Sequence, residues 1–346
     1  MKQWLIIMAV VLLAVALLTG SCTPKPAAPT KHEIVNLEIQ SSSAVGTPPY
    51  VKAMAITGML NELHPWLRAS ALESLGSADA VHATDALRPE RKKYVFIPNT
   101  TTVSQVEALM GLPPYKREFT DLKLLATVGS DSFSFVTYDP NIKSYKDLIG
   151  KRVGTLPKTM APWPICEALL RDAWGILDQV KLSHHKPPDY KDIMTAGVVD
   201  AVYATAGSLL VGDKFGYPPY IMQVIAARKS YWVDVSPEDI DRVREKNPWP
   251  IAQRVIAKGA LGEDKPPQDT GCAVFYSFMV AWDVADDEVT YELVKFLDEN
   301  AEEWSRRTGG VPGGAEFMAS FPGMTEDEVH PAALRYYKEK GVKIGG

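Results

Sequence analysis

The stretch "VNLEIQSSSAVGTPPYVKAMAITGMLNEL" (Val35 to Leu63) decides the fold. Apolar and polar residues alternate through Val35–Gln40, the pattern of a half-buried strand. Three serines and a turn containing Gly46, Pro48 and Pro49 follow, and then a helical run from Tyr50 to Leu63. Small hydroxyl residues where a strand hands over to a helix make either a solvated turn or a cradle for a ligand. The same hand-over recurs. "LRASALES" reads as a strand leading to "LGSADAVHATDAL", a helix with Ser77 as its expected cap. "KYVFIPNTTT" is a strand running into Asn99, Thr100 and Thr101, followed by the helical "TVSQVEALMG". Three strands ending in small polar residues predict an open, mainly parallel α/β sheet, whose ligand edge is the carboxyl ends of its strands.

The middle of the chain repeats the scheme. "LKLLATVGSDSFSFVTYDP" (Leu122 to Pro140) is long, β-branched and aromatic, and is a candidate connection between two lobes; "TGCAVFYSFMVAW" (Thr270 to Trp282) is the candidate return. Between them "SYKDLIGKRVGTL" reads as a turn and a strand, and the loop "PKTMAPWP" leads into the helix "ICEALLRDAWGI". "VKLSHH" and "DAVYATAG" read as strands, "YKDIMTAGVV" as a short helix and "PYIMQVIAA" as a further strand. "SPEDIDRVREK" has a clean helix start at Ser236 and Pro237. "DDEVTYELVKFLDENAEEWSRRTGG" is amphipathic. Alternation of this kind predicts two doubly wound sheets joined by hinge strands. Residues 33–125 with 282–346 form one lobe, and 126–281 form the other with the hinges.

The first residues read as an address. Trp4 to Leu18 is an apolar run of 15 residues after Lys2, too short for a membrane span and right for a signal-peptide core. Its end, "LLTGSC", resembles a bacterial lipobox, which implies cleavage after residue 21 and lipidation of Cys22. Residues 22–32, rich in proline, fit an extended tether from the membrane. The body of about 320 residues suffices for two lobes. The formal net charge of -5 gives no basic footprint for nucleic acid, and anion binding has to be local. Cys166 and Cys272 sit in apolar surroundings and are expected as buried free thiols rather than a disulfide.

"SYKDLIGKRVG" looks like the second-lobe opening of extracytoplasmic solute-binding proteins, and "AGVVDAVYATAG" like a segment of their second lobe. "VHPAALRYYKEKG" (Val329 to Gly341) resembles the C-terminal signature of the TAXI family, the solute receptors of one branch of TRAP transporters. That resemblance implies a two-lobed periplasmic-binding-protein type II fold, monomeric and free of cofactor. It also implies a small organic anion held between the lobes and delivered to TRAP-type permease subunits. The family's glycine-rich first loop matches "SSSAVGTPPY" and its second-lobe loop matches "PKTMAPWP"; here prolines and Trp163 stand in place of most small residues.

A carboxylate in a closed cleft needs donors, and helix amino termini and short hydroxyl side chains supply them. The candidate ligand-binding residues are Ser41, Ser42, Ser43, Thr47 and Tyr50 on loop one, and Ser74 and Ser77 on loop two. Asn99, Thr100 and Thr101 follow on loop three. The second lobe offers Thr159, Trp163, Tyr203 and Thr205. Pro164 in a first helical turn is expected to aim Trp163 at the cleft, for stacking or for lobe packing. Arg68 and Arg152 are further carboxylate candidates. A receptor for an ATP-driven importer or a sensory system shares this binding face. An enzyme is the rival of another class, but no metal spacing, phosphate loop or nucleophile elbow is present. His184 and His185, adjacent on a strand, point to opposite faces.

Overall fold

The computed structural model describes residues 32–43, 45, 47–262 and 264–345; the signal-peptide and Cys22 readings fall outside them. Val35–Gly346 forms one compact unit. Its first part is β1 (Val35–Gln40), α1 (Pro48–Leu63), β2 (Leu67–Leu72), α2 (Ser77–Asp85), β3 (Val95–Thr101), α3 (Thr102–Leu109) and the long β4 (Leu122–Thr137). The middle comprises β5 (Arg152–Thr155), α4 (Trp163–Ala168), β6 (Lys181–His184), α5 (Tyr190–Thr195), β7 (Ala201–Leu210) and β8 (Lys214–Gly216). It continues through α6 (Pro219–Ala227), β9 (Tyr231–Val233), α7 (Pro237–Lys246) and β10 (Ala252–Ile256). The return strand β11 (Thr270–Trp282) leads to α8 (Asp287–Glu299), α9 (Ala301–Arg307) and α10 (Pro331–Glu339).

The strands lie in the order β2-β1-β3-β11-β4-β7-β5-β6. Pairs β1–β2, β1–β3, β5–β6 and β5–β7 are parallel, whereas β11 and β4 run antiparallel to each other and to their outer neighbours. The two expected sheets are thus hydrogen-bonded into one curled sheet, because β4 and β11 continue unbroken through both halves.

Two separate hydrophobic cores cover this sheet. One gathers Leu37, Ile56, Phe96, Leu124 and Phe278 with Trp282 and Tyr337; the other gathers Phe135, Ile165, Leu169, Tyr203, Trp232 and Phe275. Along β4 the change of core falls between Val128 and Phe133, and along β11 between Phe275 and Phe278. The intervening residues are small or polar: Gly129–Ser132 on β4 and Tyr276 and Ser277 on β11. Register shifts occur at Ser277/Phe278 against β4 and at Ser132/Phe133 against β7. Irregular pairing bends and twists a strand locally, so both long strands bend where their side chains leave one core for the other.

Local chemistry explains most boundaries. Ser236 caps α7 with a reciprocal bond to Asp239, and Asp286 caps α8 by accepting from Glu288 and Val289 N–H. Two expectations change. "PYIMQVIAA" is the helix α6. Its isoleucines and valine suggested a strand, but Pro218 and Pro219 preset a helical start, and Ile221 and Val224 bury one face. Ser77 is the first helical residue of α2, and Gly76 takes the cap position instead.

Candidate functional site

The carboxyl ends of β1, β2, β3, β5 and β6 converge on a cavity of about 90 Å3. A single water needs about 10–15 Å3 of such space, so the cavity has room for several. Ser42, Ser43, Thr47, Ser77, Asn99, Thr101 and Thr205 of the candidate set line it. The sequence reading had not singled out Asp131, Phe133, Tyr220, Phe275 and Ser277, nor the wall of Pro48, Pro49, Pro162, Pro187 and Pro188.

Several polar groups of the lining are buried and lack an internal partner. Ser43, Ser77, Asn99 and Ser277 are at most 6% exposed. Ser42 is spent on the fold, its Oγ donating to the Asn99 carbonyl at 2.6 Å. Among the described residues no group bonds to the hydroxyls of Ser43, Ser77 or Ser277. Thr101 Oγ1 accepts from the Ser104 N–H at 3.2 Å and keeps its proton to give. Asn99 Oδ1 accepts from Lys52 Nζ at 2.9 Å. Lysine only donates, so this bond fixes the amide orientation and turns the Asn99 Nδ2 donors the other way. Buried polar groups are nearly always paired. A set of idle donors lining one cavity is therefore a site waiting for acceptors.

Much of the remaining lining is apolar, for a simple reason. Helix α1 begins with Pro48 and Pro49, α4 carries Pro164 in its first turn after Pro162, and a short turn before α5 begins with Pro187 and Pro188. Proline has no N–H, so these ends lack donors that helix starts otherwise offer to an anion. Thr205 and Tyr220 are the polar exception; their hydroxyls share a 2.6 Å bond, and Tyr220 also accepts from the Thr205 N–H at 3.2 Å. Burial pushes the Tyr220 phenol up to about 12 despite these bonds. It is neutral at neutral pH.

Charge at the site is sparse. Asp131, on β4 at the change of core, accepts from Ser208 Oγ at 2.6 Å through Oδ1. No group among the described residues donates to its other oxygen. Lys52 is buried. Desolvation holds its ammonium below the usual lysine range, with the Asp131 charge opposing that shift. A second cavity of about 480 Å3 reaches Lys52 and Asp131 from another side. Its two arginines are engaged: Arg306 with Glu303, and Arg307 with Glu62 and Glu303.

Other candidates stand elsewhere. Ser41 Oγ donates to the Ser43 carbonyl, and Ser74 Oγ to the Ser41 carbonyl, so both brace the loop. Thr100 is fully buried on the face of β3 opposite Asn99 and Thr101. Tyr50 is half-buried and Thr159 exposed, and neither lines the cavity. Tyr203 is fully buried, packed between Phe133 and Phe135 two residues deeper than Thr205. Trp163 turns into the second core, its ring meeting His184 edge-on at 4.7 Å; Pro162 faces the cavity in its place. Arg68 donates to the carbonyls of His64 and Leu67, and Arg152 pairs with Asp200.

His184 bonds to Thr155 and Leu156, and His185 to Ser183, so they share no site. Among the described residues no cluster of histidine, cysteine or acidic side chains could hold a metal ion, and no helix is long and apolar enough to cross a membrane. Cys166 and Cys272 are buried free thiols. Burial drives both thiol pKa values up.

A model of the NMT1-like family matches residues 50–341, and the chain belongs to that family. Among solved structures, the periplasmic binding protein BugD superposes with a TM-score of 0.53 at 12% identity, over 89% of this chain and 98% of that one. MatC from Rhodopseudomonas palustris, solved with bound malate, gives 0.50 at 11% identity over 90% and 97%. Rpa4515 from R. palustris, solved with adipate, gives 0.50 at 14% over 81% and 89%. At these identities the likeness is one of fold. This chain has the two-lobed architecture of periplasmic binding proteins.

Proposed function

We propose that this chain is an extracytoplasmic solute receptor of TRAP type. In this reading, residues 33–125 with 282–346 and residues 126–281 are the lobes that close on a small organic acid. The acid then passes to membrane permease subunits, while a lipid on Cys22 keeps the receptor at the membrane. The observation that carries the reading is the set of idle buried donors, Ser43, Ser77, Ser277 and the Asn99 amide, lining a single cavity. A carboxylate satisfies several such donors at once, and its desolvation is repaid only where they converge.

The hinge chemistry supports the same reading. Small and polar residues at the change of core on β4 and β11 suit two bodies that rotate about those strands, so occupancy is converted to shape. The C-terminal string Val329–Gly341, similar to TAXI receptors, supports delivery to a TRAP permease over an ATP-driven importer. Buried, unreactive cysteines and separated histidines favour a receptor over an enzyme.

The test is a thermal-shift screen of the purified chain against carboxylates, sugars and metal ions. A ligand at a hundred times its dissociation constant stabilises by about 2.7 kcal/mol, and a carboxylate is the expected hit. A shift with sugars alone would overturn the acid reading. Uptake into vesicles holding the permease subunits, driven by an ion gradient without nucleotide, tests the delivery step.

A further inference from the structure

The cavity distinguishes among acids, and it does so with Asp131. Its carboxylate lines the pocket with one oxygen held by Ser208 and the other accepting nothing from the described residues. No cation among those residues forms an ion pair with it. Lys52 gives its bond to Asn99 instead, and Arg254 bonds to Ser130 and Ser132, which point to the other face of β4. We infer that the bound acid also carries a cationic or N–H donor pole, which meets Asp131, and an apolar body. The simplest molecule of this kind is an α-amino acid with an apolar side chain. The inference rests on the receptor reading above and narrows it.

Register supplies the spacing. Asp131 pairs with Phe275 across the β4–β11 ladder, and Ser277 lies two residues further along β11, on the same face. Residues in that diagonal relation are roughly 7–8 Å apart, their Cβ atoms somewhat less. An ammonium and a carboxylate on one carbon span such a gap when each end adds a hydrogen bond of about 2.7–3.2 Å. Ser277 is also the donor whose burial is complete and whose hydroxyl has no partner. The two poles of the ligand thus find opposite chemistry on one strand pair.

The rest of the pocket weighs against the alternative of two carboxylates. A second anionic group directed away from the serines meets Asp131, the proline wall, or the hydroxyls of Thr205 and Tyr220, which already bond to each other. The first repels it, and the second has no N–H to offer. Phe133, Phe275 and the prolines instead give an apolar body a dry surface.

Isothermal titration of the purified full chain with matched pairs tests this. The probes are L-leucine against 4-methylpentanoate, L-phenylalanine against 3-phenylpropanoate, and malate and adipate as dianions. The expected result is at least one amino acid binding tenfold or more tighter than its amine-free partner and than either dianion. In Asp131→Asn that advantage collapses to within about threefold, with folding checked by circular dichroism. If that variant does not fold, the matched pairs on the unaltered chain decide alone. An amine-free acid or a dianion binding as tightly as the amino acids would overturn the second pole and leave the acid receptor standing. If no acid of any kind binds, the acid reading itself fails, and this inference with it.

Discussion

Gly76 sits so close beneath Thr159 that a Cβ on it would stand 2.2 Å from the Thr159 carbonyl oxygen. The two belong to loops on opposite sides of the cavity, one between β2 and α2 and the other between β5 and α4. The backbone at Gly76 is fully extended, with φ -177° and ψ 176°, a conformation open to any residue. Space, not torsion, demands glycine here. Gly76→Ala should therefore hinder the approach of the two loops without straining the chain. Overpacking of this kind costs about 1–3 kcal/mol, and the expected outcome is ligand affinity reduced about 5- to 150-fold. The melting temperature of the ligand-free protein should hardly move. Titration calorimetry with small-angle scattering checks both, the variant staying more extended at saturating ligand; unchanged affinity would remove this contact from closure.

The Lys52 bond to Asn99 Oδ1 makes a directional prediction. Asn99→Asp keeps an acceptor for the buried lysine but exchanges the amide donors for a second acceptor. A ligand carboxylate would then meet an oxygen where it had met an N–H. Affinity for the acid should drop by more than tenfold, whereas stability should hold or rise through the new charge pair. Equal losses of stability and binding would assign Asn99 a purely structural role.

Ser277 is fully buried and its hydroxyl has no partner. Leaving a buried polar group unpaired costs about 1–3 kcal/mol. Ser277→Ala removes that cost from the empty protein and one donor from the complex. The ligand-free chain should become slightly more stable, and ligand affinity should fall about 5- to 10-fold. Chemical denaturation and titration on one preparation give both signs; a variant that gains stability and loses no affinity would show Ser277 to be core alone.

The fold was legible because its signals are local. Val35–Gln40 and Thr270–Trp282 carry their strand pattern in the side chains themselves, and Ser236 with Pro237 announces α7. Loop hydroxyls at strand ends were legible for the same reason, hence Ser42, Ser43, Ser77, Asn99 and Thr101. What escaped depends on tertiary placement. Asp131 and Ser277 lie inside long apolar strands, and only the change of core turns them toward a cavity. Strand alternation turns Thr100 away from the cavity and its neighbours toward it, and depth along β7 separates Tyr203 from Thr205. The prolines were visible as helix starts, but their meaning as a donor-free wall appears only when three such starts face one space.

Trp163 reverses the expectation drawn from its flanking prolines. Its indole packs against His184 within the second core and is 6% exposed. Trp163→Ala should then cost stability, about 3–5 kcal/mol for an aromatic removed from a core. Affinity measured on the fraction still folded should stay within about threefold. Urea denaturation and titration separate these, and a loss of affinity at full stability would return Trp163 to the site.

Glu107 gives a pH signature unconnected with the ligand. It is 6% exposed in α3, and desolvation raises its carboxyl pKa to about 8. A folded pKa above the unfolded one means that the folded state holds its proton more tightly. The carboxyl is neutral in both states below about pH 4 and exerts no penalty there. As pH rises past the unfolded value, folding must keep the proton, and stability falls until the folded value near 8 is passed. Above that, the buried carboxylate imposes a constant penalty of about 3–5 kcal/mol, at about 1.36 kcal/mol for each unit of displacement. Glu107→Gln removes the titration and keeps the shape. The variant should match the parent at pH 4, exceed it progressively from pH 5 to pH 8, and hold a constant advantage at pH 9. Denaturant midpoints across that range measure the difference, and a flat difference profile would mean that Glu107 reaches water in the folded protein.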